Sequence, residues 1–277
     1  MNAALVEDYF RYTVCDRIPA GRKRLRFIVG SIEAFRGETP RNKIRVLDYG
    51  CGNGYLTIAL ASLGYEIDGV DIDQPSILFA KDKNPFDNAR FYHIENGQIN
   101  TPHILSAKLY DVVVSSEVLH WTRDPAEHLR SAGRSLKGNG IFIITDENAF
   151  GPREVLGRLE RFLLRSSMIK CAIKYVRDKF GMSSAENRYE LYSANPDIIG
   201  RQEVVRHNFS IYSIRRLFLE HGFEIFKQRN SFFLFAVFGL GGEARLDEWD
   251  CRLADYLPTV MASGWYFILK IAERPVI

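Results

Sequence analysis

The chain has 277 residues, of which 46% are hydrophobic and 26% are charged, and it carries a formal net charge of +3 at pH 7. These proportions are typical of a soluble globular protein, and a charge this small gives no argument for nucleic-acid binding. The four cysteines lie far apart, with no CxxC pair and no histidine cluster at zinc-like spacing. This pattern argues against a structural metal site and against a disulfide scaffold.

Two further features of the sequence concern its location. The N-terminal residues lack the basic and then apolar order of a signal peptide. The longest uncharged apolar run, residues 231–242, is too short to span a bilayer. We therefore expect a cytoplasmic protein that binds no metal and no nucleic acid.

The first 150 residues predict a helical cap followed by an α/β core. Residues 1–40 look helical, with a basic segment at 22–26, and end at Gly37 and Pro40. From residue 44 to residue 146, apolar β-branched runs alternate with helical stretches, which is typical of a parallel sheet covered on both faces. The predicted strands are residues 44–49, 66–72, 89–95, 110–116 and 141–146. The predicted helices are residues 55–64, 76–83 and 125–137, and Gly138–Asn139–Gly140 predict a turn before the fifth strand.

The remaining residues predict a helical insert and the completion of the sheet. A long helical stretch at 154–180 carries an apolar stripe bordered by arginines and lysines, and a polar loop follows it. We interpret the insert as a lid packed on the core; the alternative is a surface for an anionic or lipid-linked acceptor, with peripheral membrane contact. The α/β pattern resumes at 211–228 and ends at 263–273. The predicted domains are the N-terminal cap 1–40, the core 41–150, the insert 151–200 and the C-terminal part 201–277.

A glycine-rich loop follows the first predicted strand, in the segment VLDYGCGNGYLTIALA at 46–61. Gly50, Gly52 and Gly54 let the backbone turn sharply and approach a ligand, and the helix after them offers unpaired N–H groups. A dinucleotide-binding loop has its third glycine one position later, where this chain has Tyr55, and the Lys-Ser/Thr pair of a P-loop is absent. The loop alone is a weak signal, since it is also compatible with a simple tight turn. Cys51 lies inside it and is interpreted as a small inert residue, not as a nucleophile.

Acidic residues beside this loop narrow the class of ligand. Asp48 would repel a pyrophosphate but can hold an ammonium group, directly or through water. Asp71 ends the second predicted strand and can accept hydrogen bonds from ribose hydroxyls, although a helix N-cap is an alternative role. Glu95 and Asn96, at the end of the third strand, are candidates for holding an adenine amino group. The ligand predicted by these residues has an amino-acid end and a ribose end.

Three segments, VLDYGCGNG (46–54), GVDID (69–73) and YDVVVSSEVLHWTRDPAEHLRSAGRSLKGNGIFIITD (110–146), resemble the successive motifs of class I S-adenosylmethionine-dependent methyltransferases. The resemblance covers residues 44–146 closely and residues 207–225 more loosely. It implies a doubly wound, Rossmann-like α/β fold with a seven-stranded sheet whose last strand, here residues 265–271, is antiparallel.

The same resemblance implies S-adenosylmethionine as the cofactor and assigns residues to its parts. Asp48 and the loop would hold the methionine end, Asp71 the ribose, and Glu95 and Asn96 the adenine. Glu95 stands where the family usually has Asp. The complete set of predicted cofactor-binding residues is Asp48, Gly50, Cys51, Gly52, Gly54, Asp71, Ile72, Glu95, Asn96, Ser115 and Glu117, the last two lying under the sulfonium.

The expected activity is methyl transfer to an oxygen, nitrogen or carbon nucleophile of a small, lipid-linked or glycan-linked acceptor. His120 is the first candidate for a general base and His207 the second, with a structural role as the alternative for each. A non-catalytic cofactor-binding protein with an interaction or regulatory role is one alternative function. An NAD(P)-dependent oxidoreductase is another, and Tyr55 and Asp48 argue against it. The acceptor and the oligomeric state are not predicted.

Overall fold

The computed structural model describes residues 19–94, 109–163, 175, 206–234 and 244–272. The strands are β1 (Arg45–Tyr49), β2 (Glu66–Asp71), β3 (Ala89–His93), β4 (Tyr110–Ser116), β5 (Leu136–Glu147), β6 (Phe223–Asn230) and β7 (Gly264–Ile271). The helices are α1 (Pro19–Arg36), α2 (Tyr55–Ser62), α3 (Gln74–Lys83), α4 (Pro125–Ser135), α5 (Pro152–Leu163), α6 (Ile211–Glu220) and α7 (Ala244–Ala254). Short 3₁₀ turns are formed by Arg41–Lys43, Leu119–Trp121 and Thr259–Met261.

The strands form one seven-stranded sheet in the order β3-β2-β1-β4-β5-β7-β6. Strands β1 to β5 are mutually parallel, and β7 runs antiparallel to both β5 and β6. The predicted doubly wound α/β fold with an antiparallel last strand is therefore confirmed. Strand order reverses between β1 and β4, and in such sheets the crevice at the carboxyl ends of the reversing strands is the usual ligand site.

Each face of the sheet buries its own layer of helices. Val46 and Val114 face the layer that contains α1, α2 and α3, whereas Leu47 and Val113 face the layer that contains α4 and α6. All four side chains are fully buried. Strands covered on both faces must be apolar at consecutive positions, because successive side chains point to opposite sides. This explains why β1 and β4 read as nearly continuous apolar runs.

Strand β5 differs from its prediction, because it begins at Leu136 and includes the segment Gly138–Asn139–Gly140. Leu136 pairs with Tyr110 and Ile141 pairs with Val112, so five positions along β5 oppose two along β4. The surplus residues form a bulge within the strand instead of a turn before it. At Gly140 a Cβ would lie 2.8 Å from the carbonyl oxygen of Asp111, so the bulge requires glycine at this position.

The predicted cap and insert are described only in part. Helix α1 packs on the sheet through Phe27, Ile28 and Ile32, and residues 1–18 lie outside the described residues. Helix α5 begins the insert, and the rest of the predicted helical stretch to residue 180 lies outside them too, except Tyr175. The domain boundaries and the role of the insert therefore stay predictions. Among the described helices, none combines the length and apolar character needed to cross a membrane.

Candidate functional site

The glycine loop lies at the carboxyl ends of β1 and β2 and leads into α2. It is tied to β2 because the N–H groups of Gly50 and Cys51 both donate to the carbonyl oxygen of Val70, at 2.8 and 3.0 Å. Gly50, Gly52 and Gly54 all have positive φ, at 88°, 50° and 76°. Residues with a side chain rarely adopt this conformation, so the tight connection from strand to helix explains the glycine spacing.

The three glycines nevertheless differ in the atoms that a Cβ at each position would meet. A Cβ on Gly50 would lie 2.5 Å from Cγ2 of Val118, and one on Gly54 would lie 2.5 Å from the ring of Phe91. Packing within the protein thus excludes a side chain at these two positions. A Cβ on Gly52 would meet no atom within 4 Å. Gly52 is therefore the glycine of the loop that borders open space, where a ligand can approach the backbone.

Asp48 ends β1 with a side chain that is almost completely buried, at 1% exposure. Its Oδ2 accepts a hydrogen bond of 2.6 Å from the hydroxyl of Thr57. Burial raises the pKa of Asp48 to about 7, and the nearby charge of Asp71 adds to this effect. Among the described residues, no lysine or arginine forms an ion pair with this carboxylate. The ammonium of an amino-acid moiety would supply the missing positive charge, which fits the predicted cofactor.

Asp71 connects the end of β2 to the glycine loop. One carboxylate oxygen accepts from the N–H of Gly52 at 2.7 Å, and the other accepts from the N–H of Asp73 at 2.9 Å. Each oxygen keeps a second lone pair with which it can accept from a ribose hydroxyl. Asp73, not Asp71, caps α3, since its side chain accepts from the N–H of Ser76 at 3.0 Å. Beside Asp71, Ile72 is 41% exposed and offers an apolar contact to a base.

Of the predicted cofactor residues Glu95, Asn96 and Cys51, only Cys51 lies in the part of the chain that the structure describes. Strand β3 ends at His93, and Glu95 and Asn96 lie outside the described residues, so their adenine contact stays a prediction. Cys51 has a free, buried thiol whose pKa is raised well above its ordinary value, mainly by burial and then by the charges of Asp48 and Asp71. A thiol that resists ionisation is a poor nucleophile, which agrees with an inert role in the loop.

The side chain of Ser115 is directed towards α4. Its side chain is fully buried and its hydroxyl forms a 2.9 Å hydrogen bond with Nε2 of His128 on α4. The His128 ring stacks on Tyr49 at a centroid distance of 4.0 Å, and burial lowers its pKa to about 3, which keeps it neutral. The whole residue is 0% exposed, so the predicted cofactor contact of Ser115 stays a prediction. Alternate residues of a strand share a face, so the Ser115 side chain lies on the α4 side of the sheet together with Val113.

Glu117 follows β4 and adopts a left-handed backbone conformation with φ of 61°, alone among the described residues other than glycine. Its N–H donates to the carbonyl oxygen of Thr145 at 2.9 Å, and its carboxylate lies 3.3 Å from the guanidinium of Arg24 on α1. Burial raises the pKa of Glu117, and the charge of Arg24 opposes this. Unfavourable backbone geometry of this kind is concentrated at functional sites, which favours a role for Glu117 at the crevice.

His120 forms a buried pair with Asp146, a residue that the sequence analysis did not predict. The side chain of His120, on the turn Leu119–Trp121, donates through Nδ1 to Oδ1 of Asp146 near the end of β5. The two residues are 4% and 1% exposed. Burial lowers the pKa of His120, but the hydrogen bond and charge of Asp146, with smaller effects of Glu117 and Glu147, raise it overall above its ordinary value of 6.5. Asp146 could have been found in the sequence by the same signal as Asp48 and Asp71, which is a carboxylate at the end of a predicted strand.

His207, the second predicted base, lies next to His120. Its N–H donates to the carbonyl oxygen of His120 at 2.8 Å, and its ring stacks on Phe209 at 5.9 Å. Nε2 of His207 is buried without a hydrogen-bond partner among the described residues. Buried polar atoms are normally satisfied, so this nitrogen marks a place for a water or a ligand group. The structure thus brings both predicted histidines to the same end of the sheet.

Charged and aromatic side chains surround this histidine pair. Glu147 accepts from Arg153 and from Arg206, each at 2.8 Å. The guanidinium of Arg206 also lies 5.4 Å from the ring centroid of Trp121, which is 42% exposed. The rim therefore combines neutralised ion pairs with a flat aromatic surface.

Comparison with known proteins gives one consistent result. Residues 21–228, about three quarters of the chain, match a family model described as "Methyltransferase domain". A curated relative from Rickettsia canadensis (strain McKiel), named ubiquinone biosynthesis O-methyltransferase, is 29% identical over 140 residues, which cover 48% of this chain and 55% of the relative. A protein of the same name from Caulobacter sp. (strain K31) is 32% identical over 116 residues, which cover 40% of this chain and 44% of the relative. The chain spans about half the length of the curated relatives that it matches.

Solved structures share the fold at low identity. An S-adenosylmethionine-dependent methyltransferase from Mesorhizobium loti aligns with a TM-score of 0.51 and 17% identity, covering 85% of this chain and 95% of that chain. A chain in the complex between the Haloferax volcanii Trm112 methyltransferase activator and the putative methyltransferase aligns with a TM-score of 0.53 and 15% identity, covering 94% and 95%. These similarities concern the fold alone.

Proposed function

Since this chain belongs to the class I S-adenosylmethionine-dependent methyltransferases and has S-adenosylmethionine as its cofactor, we propose that it transfers a methyl group to a phenolic oxygen of a small aromatic acceptor. The observation that carries this proposal is the buried pair of His120 and Asp146 at the carboxyl edge of the sheet. The names of the curated relatives, which are O-methyltransferases, support an oxygen nucleophile. The family match leaves the nicotinamide-dependent alternative without support.

The cofactor is proposed to lie across the carboxyl ends of β1, β2 and β4. Three properties support this placement: the uncompensated buried carboxylate of Asp48, the open space beside Gly52, and the free acceptor capacity of Asp71. Asp48 would hold the ammonium of the methionine end and Asp71 the ribose hydroxyls. In this placement the sulfonium would be held near the end of β4, where Glu117 lies.

His120 is proposed to act as the general base. Because its Nδ1–H donates to Asp146, the neutral ring has a lone pair on Nε2 with which it can accept a proton. When bound, S-adenosylmethionine supplies a methyl group activated by a cationic sulfur. His120 would accept the phenolic proton through Nε2, which would leave the acceptor oxygen with the electron pair that methyl transfer requires.

A phenolic acceptor suits this base better than an alcohol. A phenol has a pKa of about 10, so an imidazole with a pKa somewhat above 6.5 gives useful assistance, whereas an alcohol is too weak an acid. The exposed face of Trp121 offers an aromatic ring a stacking surface at the rim. Glu147 and Glu154 together balance Arg153 and Arg206, so these ion pairs give no excess positive charge for a strongly anionic acceptor.

The test is methyl transfer from tritiated cofactor to catechols and hydroxybenzoates, with His120→Ala compared with the parent. We expect turnover at neutral pH to fall about 100-fold while the affinity for S-adenosylhomocysteine is unchanged. The deficit should shrink at higher pH, because the acceptor then ionises without assistance. His221→Ala is the matched control, since this histidine binds the carbonyl oxygen of Leu217 at the end of α6.

Two outcomes would contradict the proposal. Normal turnover of His120→Ala between about pH 6 and 8 would remove the base role from His120, and His207→Ala would then be the next variant. A parent protein that binds the cofactor but transfers no methyl group to phenols or to cell extract would instead favour a non-catalytic cofactor-binding protein.

A further inference from the structure

We propose that Asp146 is a positioning residue that fixes the orientation and tautomer of His120, so that Nε2 of His120 is the nitrogen presented to the acceptor. The proposal rests on the function proposed above for His120, and it adds a role for a residue on a different strand. The two residues are 26 positions apart in the chain and meet only because β5 pairs with β4.

The geometry of Asp146 is that of a fixed acceptor. Oδ1 receives the Nδ1–H of His120 and also the N–H of Glu147, the latter at 2.8 Å. The backbone bond holds the carboxylate in place while the side-chain bond holds the imidazole. Because an ionised carboxylate only accepts hydrogen bonds, Nδ1 must carry the proton of the neutral ring. A buried imidazole with Nδ1 protonated has its lone pair on Nε2.

The other charges near His120 are paired with groups of their own. Glu117 faces Arg24, and Glu147 faces Arg153 and Arg206. His207, from the segment before α6, contacts His120 through the backbone. Asp146, in contrast, has no lysine or arginine partner among the described residues, and His120 is its side-chain partner there. The negative charge of Asp146 is therefore directed at the imidazole.

A purely structural role accounts less well for this arrangement. Oδ2 of Asp146 is buried without a hydrogen-bond partner in the described part of the chain. An unsatisfied buried oxygen costs stability, and an asparagine or an apolar residue would avoid burying a charge at this position. The carboxylate of Asp146 thus lowers folding stability. Its role in positioning His120 explains why a carboxylate is present despite this cost.

The decisive variant is Asp146→Asn in the full chain. Its carbonyl oxygen can take the place of Oδ1 and accept from both His120 and Glu147, so this variant removes the negative charge and keeps the hydrogen bond to Nδ1. We expect kcat at neutral pH to fall about 10-fold, with little change in KM, because the imidazole loses the charge that raises its basicity. The inflection of the pH–rate profile should move to lower pH, since removal of the carboxylate charge lowers the pKa of His120.

The protonation of His120 can also be measured without an activity assay, by NMR of histidine-labelled protein. The His120 signals are assigned by their loss in His120→Ala. We expect Asp146→Asn to lower the titration midpoint of His120, and Asp146→Leu, which removes the acceptor, to shift its tautomer from protonated Nδ1 to protonated Nε2. Asp146→Glu should restore part of both properties. The matched control is Asp111→Asn, which removes a partly buried carboxylate near the start of β4, at the opposite edge of the sheet.

The NMR result decides the positioning role independently of methyl transfer. An unchanged tautomer of His120 in Asp146→Leu, together with an unchanged titration in Asp146→Asn, would overturn it. If Asp146→Asn does not fold, Asp146→Glu is measured in the same way. A variant that differs from the parent in stability but has the same His120 tautomer and titration would also overturn the positioning role. A shifted tautomer in a protein that methylates no acceptor would support the positioning role and contradict the proposed function.

Discussion

Asp48→Asn is predicted to stabilise the cofactor-free protein at alkaline pH while it weakens cofactor binding. Burial raises the pKa of Asp48 from 3.8 to about 7, a difference of about 3 units. Since one unit corresponds to about 1.4 kcal/mol, the ionised carboxylate destabilises the folded chain by up to about 4 kcal/mol. No solvent screening reduces this figure, because the side chain is 1% exposed.

The sign of the pH dependence follows from the raised pKa. Between about pH 4 and pH 7 the folded chain retains a proton that the unfolded chain has lost, so stability falls as the pH rises through this window. Asp48→Asn removes this loss, and its carbonyl oxygen can still accept from Thr57. From about pH 5 to pH 8 the variant should gain about 3 kcal/mol relative to the parent.

Urea denaturation at several pH values, together with calorimetry of cofactor binding, measures both effects. The parent should bind S-adenosylmethionine more tightly as the pH rises towards 7, because the ammonium requires the ionised form of Asp48. The variant should bind more weakly and lose this dependence. Asp111→Asn is the control, and it should destabilise the protein because it removes an ion pair with Lys137 at 2.8 Å. Parallel stability curves for Asp48→Asn and the parent would refute the reasoning.

The remaining predictions concern the cofactor loop. Asp71→Asn should weaken S-adenosylhomocysteine binding about 10- to 100-fold in calorimetry, because it loses charge-assisted hydrogen bonds. The control Asp73→Asn should keep its capping role and bind the ligand normally. Equal affinities of Asp71→Asn and the parent would remove the ribose assignment. Gly52→Val should abolish cofactor binding in a folded protein, since its side chain would enter the open space beside the loop. Gly37→Val shares the positive φ and the open surroundings but lies far from the loop in sequence, so it should lose stability and keep binding. Binding by folded Gly52→Val would show that the loop does not face the cofactor.

The sequence by itself was sufficient to predict the fold, the family and the ligand class. Apolar strands alternating with helices are short-range patterns, and the sheet that they predict is confirmed. The family match confirms the methyltransferase and its cofactor, which were recognised from the glycine loop and the two strand-end acids. These features are readable because a loop with positive φ requires glycine, and a ligand at the carboxyl edge requires polar residues directly after strands.

Tertiary structure alone decided which side chains meet. Asp146 lies against His120, and the backbone of His207 is bonded to His120 across 87 positions of the chain, through contacts that no local pattern encodes. Strand pleating turned Ser115 inward to His128, and Val118 gave Gly50 a reason to be glycine that is independent of any ligand. Local propensity acts over a few residues, whereas a site is assembled by strand order and register, which only the folded chain specifies.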